Sequence, residues 1–183
     1  SLCLSFYLSI SVSLLLYRSA ALPLCLSASL LPPPSLRGRL WDVEKAVEVA
    51  QFAGHSADVM SVSVNPETKT QFVSGACDAV CRLWDIREPS SFDNKTRAVG
   101  IYEGHESDVN AVDFMKNGES FCTGSDDSSC RLFDLRAYSC VSTFATDKIV
   151  CGITSASLSK GGRVLFAGYD ESMCIGWDVF TGV

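Results

Sequence analysis

From residue 40 onward, apolar and polar residues alternate in short runs of about six residues, which is the pattern of β-strands with one buried face. In the run VMSVSV, alternate residues are predicted to face opposite sides, so that Val59, Ser61 and Ser63 share one side. Asn-Pro, Asn-Gly and Gly-Gly pairs between the runs indicate tight turns. The pattern predicts an all-β fold for residues 40–183.

The strands recur in a unit of about 45 to 50 residues, a period typical of propeller blades. Residues 54–85 and 104–134 form units that open with Gly-His, and residues 147–178 form a third unit. Each unit closes with Trp-Asp or Phe-Asp, and residues 40–42 close a unit whose beginning is missing. A fourth strand follows the close of the first two complete units. This pattern predicts a WD-repeat β-propeller, of which the chain, as a fragment, holds about three and a half of seven blades.

Residues 1–39 differ in composition, since Ser, Leu, Ala, Pro, Cys and Tyr make up almost all of them. A signal peptide is disfavoured because a basic first region and a compact apolar core are missing. A membrane span needs roughly 20 mostly apolar residues, and serines and Arg18 interrupt this stretch. Alternating Ser and Leu is also what a translated CT-repeat in DNA spells, and no methionine starts the chain. We therefore expect a low-complexity leader, disordered or falsely translated, and exclude it from the domain.

The units also carry the side chains that lock a blade in WD-repeat proteins, where the Gly-His histidine, a Ser or Thr, a turn Asp and the Trp form a buried hydrogen-bond chain. The first complete unit matches this lock with His55, Ser74, Asp78 and Trp84. The second unit has His105, Thr123 and Asp127, but Phe133 replaces the indole and removes its N–H donor. The third unit keeps only Trp177, with Ala167 and Glu171 at two lock positions, so we expect packing to hold that blade.

A His, a Ser and an Asp in one repeat also suggest a catalytic triad. Both histidines of the chain occupy the same repeat context, however, and an enzyme does not need its site twice. The sequence therefore predicts that the protein is not an enzyme. Two histidines, and the lack of carboxylates at the spacing of a calcium loop, predict no metal site. No cofactor and no small-molecule substrate are expected.

Net charge bears on the partners of the chain, and cysteine content bears on the state of its thiols. The net charge is −6, and Lys and Arg are scattered, which disfavours a nucleic-acid partner because that requires a clustered basic face. The nine cysteines are an odd number and form no CxxC pair. Several fall at strand positions that suit small buried residues, namely Cys81, Cys122, Cys130, Cys151 and Cys174. We expect reduced structural thiols rather than a disulfide framework.

Several segments of the repeats resemble the β subunits of heterotrimeric G proteins. These segments are GHSADVMSVSV, VSGACDAVCRLWDIRE, GHESDVNAVDF, TGSDDSSCRLFDLRA and CGITSASLSKGGRVLFAGYDE. The resemblance runs from Leu40 to Asp178 with one insertion, Pro89–Thr96, and includes Phe133 in place of Trp. It implies a non-catalytic signalling scaffold that, with a γ subunit, binds the GDP-bound α subunit and effectors. It also implies a cytoplasmic location at the inner face of the plasma membrane. The alternative is another WD-repeat adaptor, such as a ribosome-associated or ubiquitin-ligase scaffold.

The resemblance also implies which residues contact partners. The matching positions are Asp58, Met60, Cys77, Asp108, Asn110 and Asp126, with Asp170 at a more peripheral acidic position. Asp58 and Asp108 precede a first strand, and Cys77 and Asp126 lie in the next turn, so these four fall on loops at one end of the propeller. From spacing alone, the acids could instead only cap turns, which Asp does well. The helix with which the family binds γ has no counterpart in residues 1–39, which carry no heptad.

Overall fold

The computed structural model describes residues 13–16, 24–28, 37–42, 44–88 and 95–182, and every regular element in these ranges is a β-strand. None of the described residues belongs to a helix that is long and apolar enough to cross a membrane. The strands are, in chain order, β1 (Ser13–Leu16), β2 (Leu24–Ala28), β3 (Arg37–Asp42), β4 (Val47–Ala53), β5 (Val59–Val64), β6 (Gln71–Ala76), β7 (Cys81–Asp85), β8 (Lys95–Thr96), β9 (Gly100–Tyr102), β10 (Val109–Phe114), β11 (Ser120–Ser125), β12 (Cys130–Asp134), β13 (Ser139–Phe144), β14 (Ile153–Leu158), β15 (Val164–Tyr169) and β16 (Met173–Asp178).

The strands form four sheets that follow one another along the chain as propeller blades. Two blades are four-stranded antiparallel meanders, β5-β6-β7-β9 and β10-β11-β12-β13. The last described sheet has the order β14-β15-β16, and the first has the order β1-β2-β3-β4-β8. The inner strand β10 packs between the inner strands β5 and β14, so the blades stand side by side around a common axis. The all-β, WD-repeat propeller fold predicted from the sequence is therefore confirmed.

The same strand register recurs from blade to blade. In the ladder between the second and third strands, Trp84 lies opposite Phe72, Phe133 lies opposite Phe121, and Trp177 lies opposite Leu165. A bulge also recurs at the start of each inner strand, where Met60, Asn110 and Thr154 are skipped by the pairing.

The bulge changes which side the first residue of the inner strand faces. Val59 pairs with Ala76, whereas Ser61 pairs with Gly75, the neighbouring residue on β6. Because adjacent residues of a strand point to opposite faces, Val59 and Ser61 lie on opposite faces of the sheet. The prediction that Val59, Ser61 and Ser63 share one side is therefore wrong at Val59, because one extra residue flips the alternation.

The core lies between neighbouring blades. Gly75 and Gly124 each occupy the second strand of a blade, where the inner strand of the next blade comes close. A Cβ added at Gly75 would lie 2.7 Å from Cγ1 of Val109, and one added at Gly124 would lie 2.5 Å from Cγ2 of Ile153. Val109 and Ile153 are fully buried. The glycines are therefore required for the blades to pack at this distance.

The expectation of a disordered or falsely translated leader that ends at residue 39 stays a prediction, although the described part of the leader forms strands. β1 and β2 pair with each other, and β2 pairs with β3, which begins at Arg37. Cys25 lies opposite Trp41, which is the register that the later blades use opposite their Trp or Phe. Alternation of Ser and Leu is also a strand pattern, and the edge of β3 offers unpaired backbone groups to it. Whether residues 1–39 are falsely translated stays a prediction, and 1–12, 17–23 and 29–36 lie outside the described residues.

The predicted insertion at Pro89–Thr96 ends against the first blade. Residues 89–94 lie outside the described residues, while Lys95–Thr96 forms β8 and pairs in parallel with β4. Gln51 lies opposite Lys95, and Phe52 lies opposite Thr96. The end of the insertion therefore covers the outer edge of the first blade.

Candidate partner-binding surface

The lock of the first complete unit joins four side chains in one hydrogen-bond chain. The indole N–H of Trp84 donates to Ser74 Oγ at 2.8 Å, and Ser74 Oγ lies 2.7 Å from His55 Nε2. His55 Nδ1 lies 2.9 Å from Asp78 Oδ2. Because the indole can only donate, the Ser74 hydroxyl donates to Nε2 and the histidine donates from Nδ1 to the carboxylate.

The second unit forms the same chain without the indole. His105 Nε2 lies 2.6 Å from Thr123 Oγ1, and His105 Nδ1 lies 2.7 Å from Asp127 Oδ2. The ring of Phe133 takes the place of the indole and stacks on Phe121 with centroids 5.3 Å apart. Ser129 adds a donor that the sequence analysis did not identify, because its hydroxyl donates to Asp127 Oδ1 at 2.6 Å.

The third unit is held by apolar packing around Trp177. Its indole is buried and lies in one core cluster with Leu165, Ala167 and residues of the preceding blade such as Phe144. The Phe144 and Trp177 ring centroids are 6.3 Å apart. Glu171, at the position of the lock aspartate, is exposed.

Burial and hydrogen bonding set the charges of the locks. Burial lowers the pKa of His55 and of His105, although the facing carboxylates act in the opposite direction. Burial alone would raise the pKa of Asp127, but hydrogen bonds from Ser129 and His105 lower it to about 2. The pKa of Asp78 is also lowered, since bonds from the Ser56 N–H and His55 outweigh its burial. Each lock therefore pairs a neutral imidazole with a carboxylate at neutral pH.

The geometry of the locks indicates a structural role. Ser74 is 3% exposed and Thr123 is 0% exposed, so neither hydroxyl can meet a substrate. The Ser74 hydroxyl also accepts from Trp84 while it donates to His55. This arrangement ties the loop before the blade to its second and third strands.

Two loops from each blade meet at one end of the propeller. The entry loops (54–58, 103–108 and 145–152) precede the inner strands, and the mid-blade turns (77–80, 126–129 and 170–172) join the second and third strands. A backbone hydrogen bond joins the two loops of each blade: Cys77 N–H to Asp58 O (2.8 Å), Asp126 N–H to Asp108 O (3.0 Å) and Asp170 N–H to Gly152 O (3.1 Å). Asp58, Cys77, Asp108 and Asp126 therefore lie at one end, as the sequence predicts, and Asp170 lies at the same end.

We define the partner surface as Asp58, Met60, Cys77, Asp108, Asn110 and Asp126. Asp58 and Asp126 are exposed, and the other four are partly exposed. Met60 and Asn110 reach this end because each is the extra residue of the bulge that begins its inner strand. Bulges commonly redirect a side chain in this way at functional sites.

Cys77 lies among three of these acids. Burial is the largest cause of the raised pKa of the Cys77 thiol, which is about 12, and the Asp108 carboxylate adds to the rise. The charges of Asp58 and Asp126 act in the same direction. The thiol is therefore protonated at neutral pH, and it lies near a carboxylate from the entry loop of the next blade.

Asp126 is linked to the following blade in a different way. The Asn110 amide donates to Asp126 Oδ1 and, at 3.0 Å, to the backbone oxygen of Ile153. A Cβ added at Gly152 would lie 2.5 Å from Asp126 Oδ1. Gly152 was not among the predicted site residues, although one signal was available: Gly152 stands where the first two complete units carry Asp58 and Asp108.

The blades, their repeated register and their locks define the chain as a WD-repeat propeller protein. The family model described as G protein beta WD-40 repeat protein matches residues 35–182. The chain belongs to this family.

Relatives that carry the name guanine nucleotide-binding protein subunit beta are similar to the chain. The relative from Oryza sativa subsp. japonica is 44% identical over 149 residues, which cover 76% of this chain and 38% of the relative. The relative from Zea mays is also 44% identical over 149 residues, with the same coverage of 76% and 38%. The relative from Arabidopsis thaliana is 41% identical over 151 residues, which cover 78% of this chain and 38% of the relative. The chain therefore spans about 38% of the length of these relatives.

Proposed function

We propose that the chain is part of a non-catalytic signalling scaffold that binds the GDP-bound α subunit of a heterotrimeric G protein through the partner surface. The observation that carries the proposal is the repeated loop pair at one end of two adjacent blades. It presents Asp58 and Asp126 to solvent and Asp108 beside them, and none of these three carboxylates belongs to a lock. Family membership and the relatives' name support the choice of partner.

The proposal also covers further partners and the location in the cell. A γ subunit and effectors are the further partners in this proposal, and the site of action is the cytoplasmic face of the plasma membrane, reached through those partners. Exposed carboxylates around Met60 and Cys77 suit a protein interface, because such surfaces combine polar rims with adaptable apolar side chains.

A binding titration of GDP-loaded α subunit tests the proposal. Asp108→Ala should weaken binding by about thirtyfold if the residue is an interface hot spot, on the order of 2 kcal/mol. Glu67→Ala is the matched control, because Glu67 is an exposed acid in the turn at the opposite end of the first complete blade. Binding by Glu67→Ala should equal that of the unmodified chain, and circular dichroism should show that both variants are folded.

Two results would count against the proposal. Unchanged affinity for Asp108→Ala would remove this residue from the interface, and equal losses for Glu67→Ala would show a general effect of charge. A folded chain without affinity for GDP-loaded α subunit would favour the alternative of another WD-repeat adaptor.

A further inference from the structure

The side chains at the two seams between blades differ in a systematic way. At each seam, the first residue of a mid-blade turn lies beside the last residues of the next blade's entry loop. At the first seam, the Cys77 side chain lies near the Asp108 carboxylate, which together with burial raises the pKa of the thiol. At the second seam, Asp126 carries the carboxylate, and Gly152 lies beneath it in the position that Asp108 has in its own blade. Of the two residues compared at each seam, Cys77 and Asp108 or Asp126 and Gly152, only one therefore carries a carboxylate.

Gly152 is required for space at the second seam. An added Cβ would lie 2.5 Å from Asp126 Oδ1 and 3.3 Å from Asp126 Cα and Cγ. Real Cβ atoms do not approach this closely, so any larger residue must displace the Asp126 side chain. An aspartate here, as in the other two units, would also place two carboxylates together, which is unfavourable.

Asn110 holds the same carboxylate from the other side. Its amide group has two N–H donors, and the structure uses them for Asp126 Oδ1 and the Ile153 backbone oxygen. Ile153 begins β14, directly after Gly152. The amide therefore fixes Asp126 relative to the next blade.

We infer that Gly152 and Asn110 are positioning residues for Asp126, and that they set the direction in which this carboxylate meets a partner. The inference rests on the proposed function, because it assigns Asp126 a contact with the α subunit. Asn110 acts through Asp126 here rather than by its own contact. The partner group that Asp126 meets is a cation or an N–H or O–H donor, since an ionised carboxylate only accepts.

A double-mutant cycle on the full 183-residue chain tests the inference. Gly152→Ala should weaken binding of GDP-loaded α subunit by about tenfold when Asp126 is present. The same change should have no effect in an Asp126→Ala background, because the displaced carboxylate is then gone. Gly161→Ala is the matched control, since an added Cβ there meets nothing within 4 Å.

Asn110→Ala provides a second variant should Gly152→Ala not fold. It should weaken binding with Asp126 present and have no further effect on Asp126→Ala. Equal losses in both backgrounds, for either variant, would overturn the inference, because the residue would then act on its own contact or on the fold.

The failure of the inference and that of the proposed function are distinguishable. Normal binding by Gly152→Ala, with binding weakened by Asp126→Ala, would overturn the positioning role alone. Normal binding by both Asp126→Ala and Asp108→Ala would overturn the proposed function and, with it, the inference.

Discussion

Asp127 and Asp126 are adjacent acids that the structure gives opposite roles, and replacing each with alanine separates those roles. Asp127 accepts hydrogen bonds from His105 Nδ1, from the Glu106 N–H, and from both the N–H and the hydroxyl of Ser129. His105 and Ser129 are 8% and 5% exposed, so water cannot readily replace the lost acceptor. Asp126 is exposed.

The expected magnitude follows from these partners. A buried donor left without an acceptor costs about 1–3 kcal/mol, so two residues that lose their acceptor give roughly 2–6 kcal/mol for Asp127→Ala. Asp126→Ala should cost less than about 1 kcal/mol, because only a surface hydrogen bond is lost. Urea unfolding followed by tryptophan fluorescence measures both free energies of unfolding. A cost for Asp126→Ala equal to that of Asp127→Ala, or a cost below about 1 kcal/mol for the latter, would refute this reasoning.

Three further predictions concern pH, packing and thiol reactivity. The lowered pKa values of His55 and His105 mean that the unfolded chain binds protons at a higher pH than the folded chain, so the free energy of unfolding should fall as the pH drops below about 6.5. The Asp127 pKa of about 2 should cause a further loss of stability as the pH falls from the ordinary value of 3.8 to 2. A free energy of unfolding that does not change with pH, measured by urea titration, would contradict this. Gly124→Ala should lower the free energy of unfolding by about 1–3 kcal/mol because the new methyl meets Ile153, whereas Gly161→Ala should change it little; equal effects would contradict the packing argument. Cys77, with its pKa of about 12, should react slowly with iodoacetamide at pH 8, and Asp108→Ala should speed the reaction by removing a nearby negative charge; an unchanged rate would contradict the effect of Asp108 on the thiol.

Much of the fold could be predicted because the signals are local and repeated. The Gly-His and Trp-Asp pairs indicate the blade boundaries, and His55, Ser74, Asp78 and Trp84 lie in the register that the lock requires. The bulge at Met60 was missed, although Val59 and Met60 are two consecutive apolar residues that interrupt the alternation of VMSVSV; pairing with β6 makes Met60 the extra residue.

The sequence was least informative where one pattern fits two structures. Alternating Ser and Leu in residues 1–39 is compatible with repetitive DNA and with strands, and the pairing of β2 with β3 shows strands for the described residues without deciding the origin of the segment. Gly152 was missed because its role depends on Asp126, a residue of the previous blade. Contacts across a seam join residues far apart in sequence, so the only signal for Gly152 was its place in the repeat, where the first two complete units carry an aspartate.

The central claim is that a partner binds the end formed by the entry loops and mid-blade turns. Hydrogen–deuterium exchange of the chain, with and without GDP-loaded α subunit, tests it most directly. We predict protection of residues 56–60, 77–80, 106–110 and 126–129, and no change at the turns of the opposite end, residues 65–70, 115–119 and 159–163. Protection at those opposite turns, with the entry loops and mid-blade turns unchanged, would contradict the account.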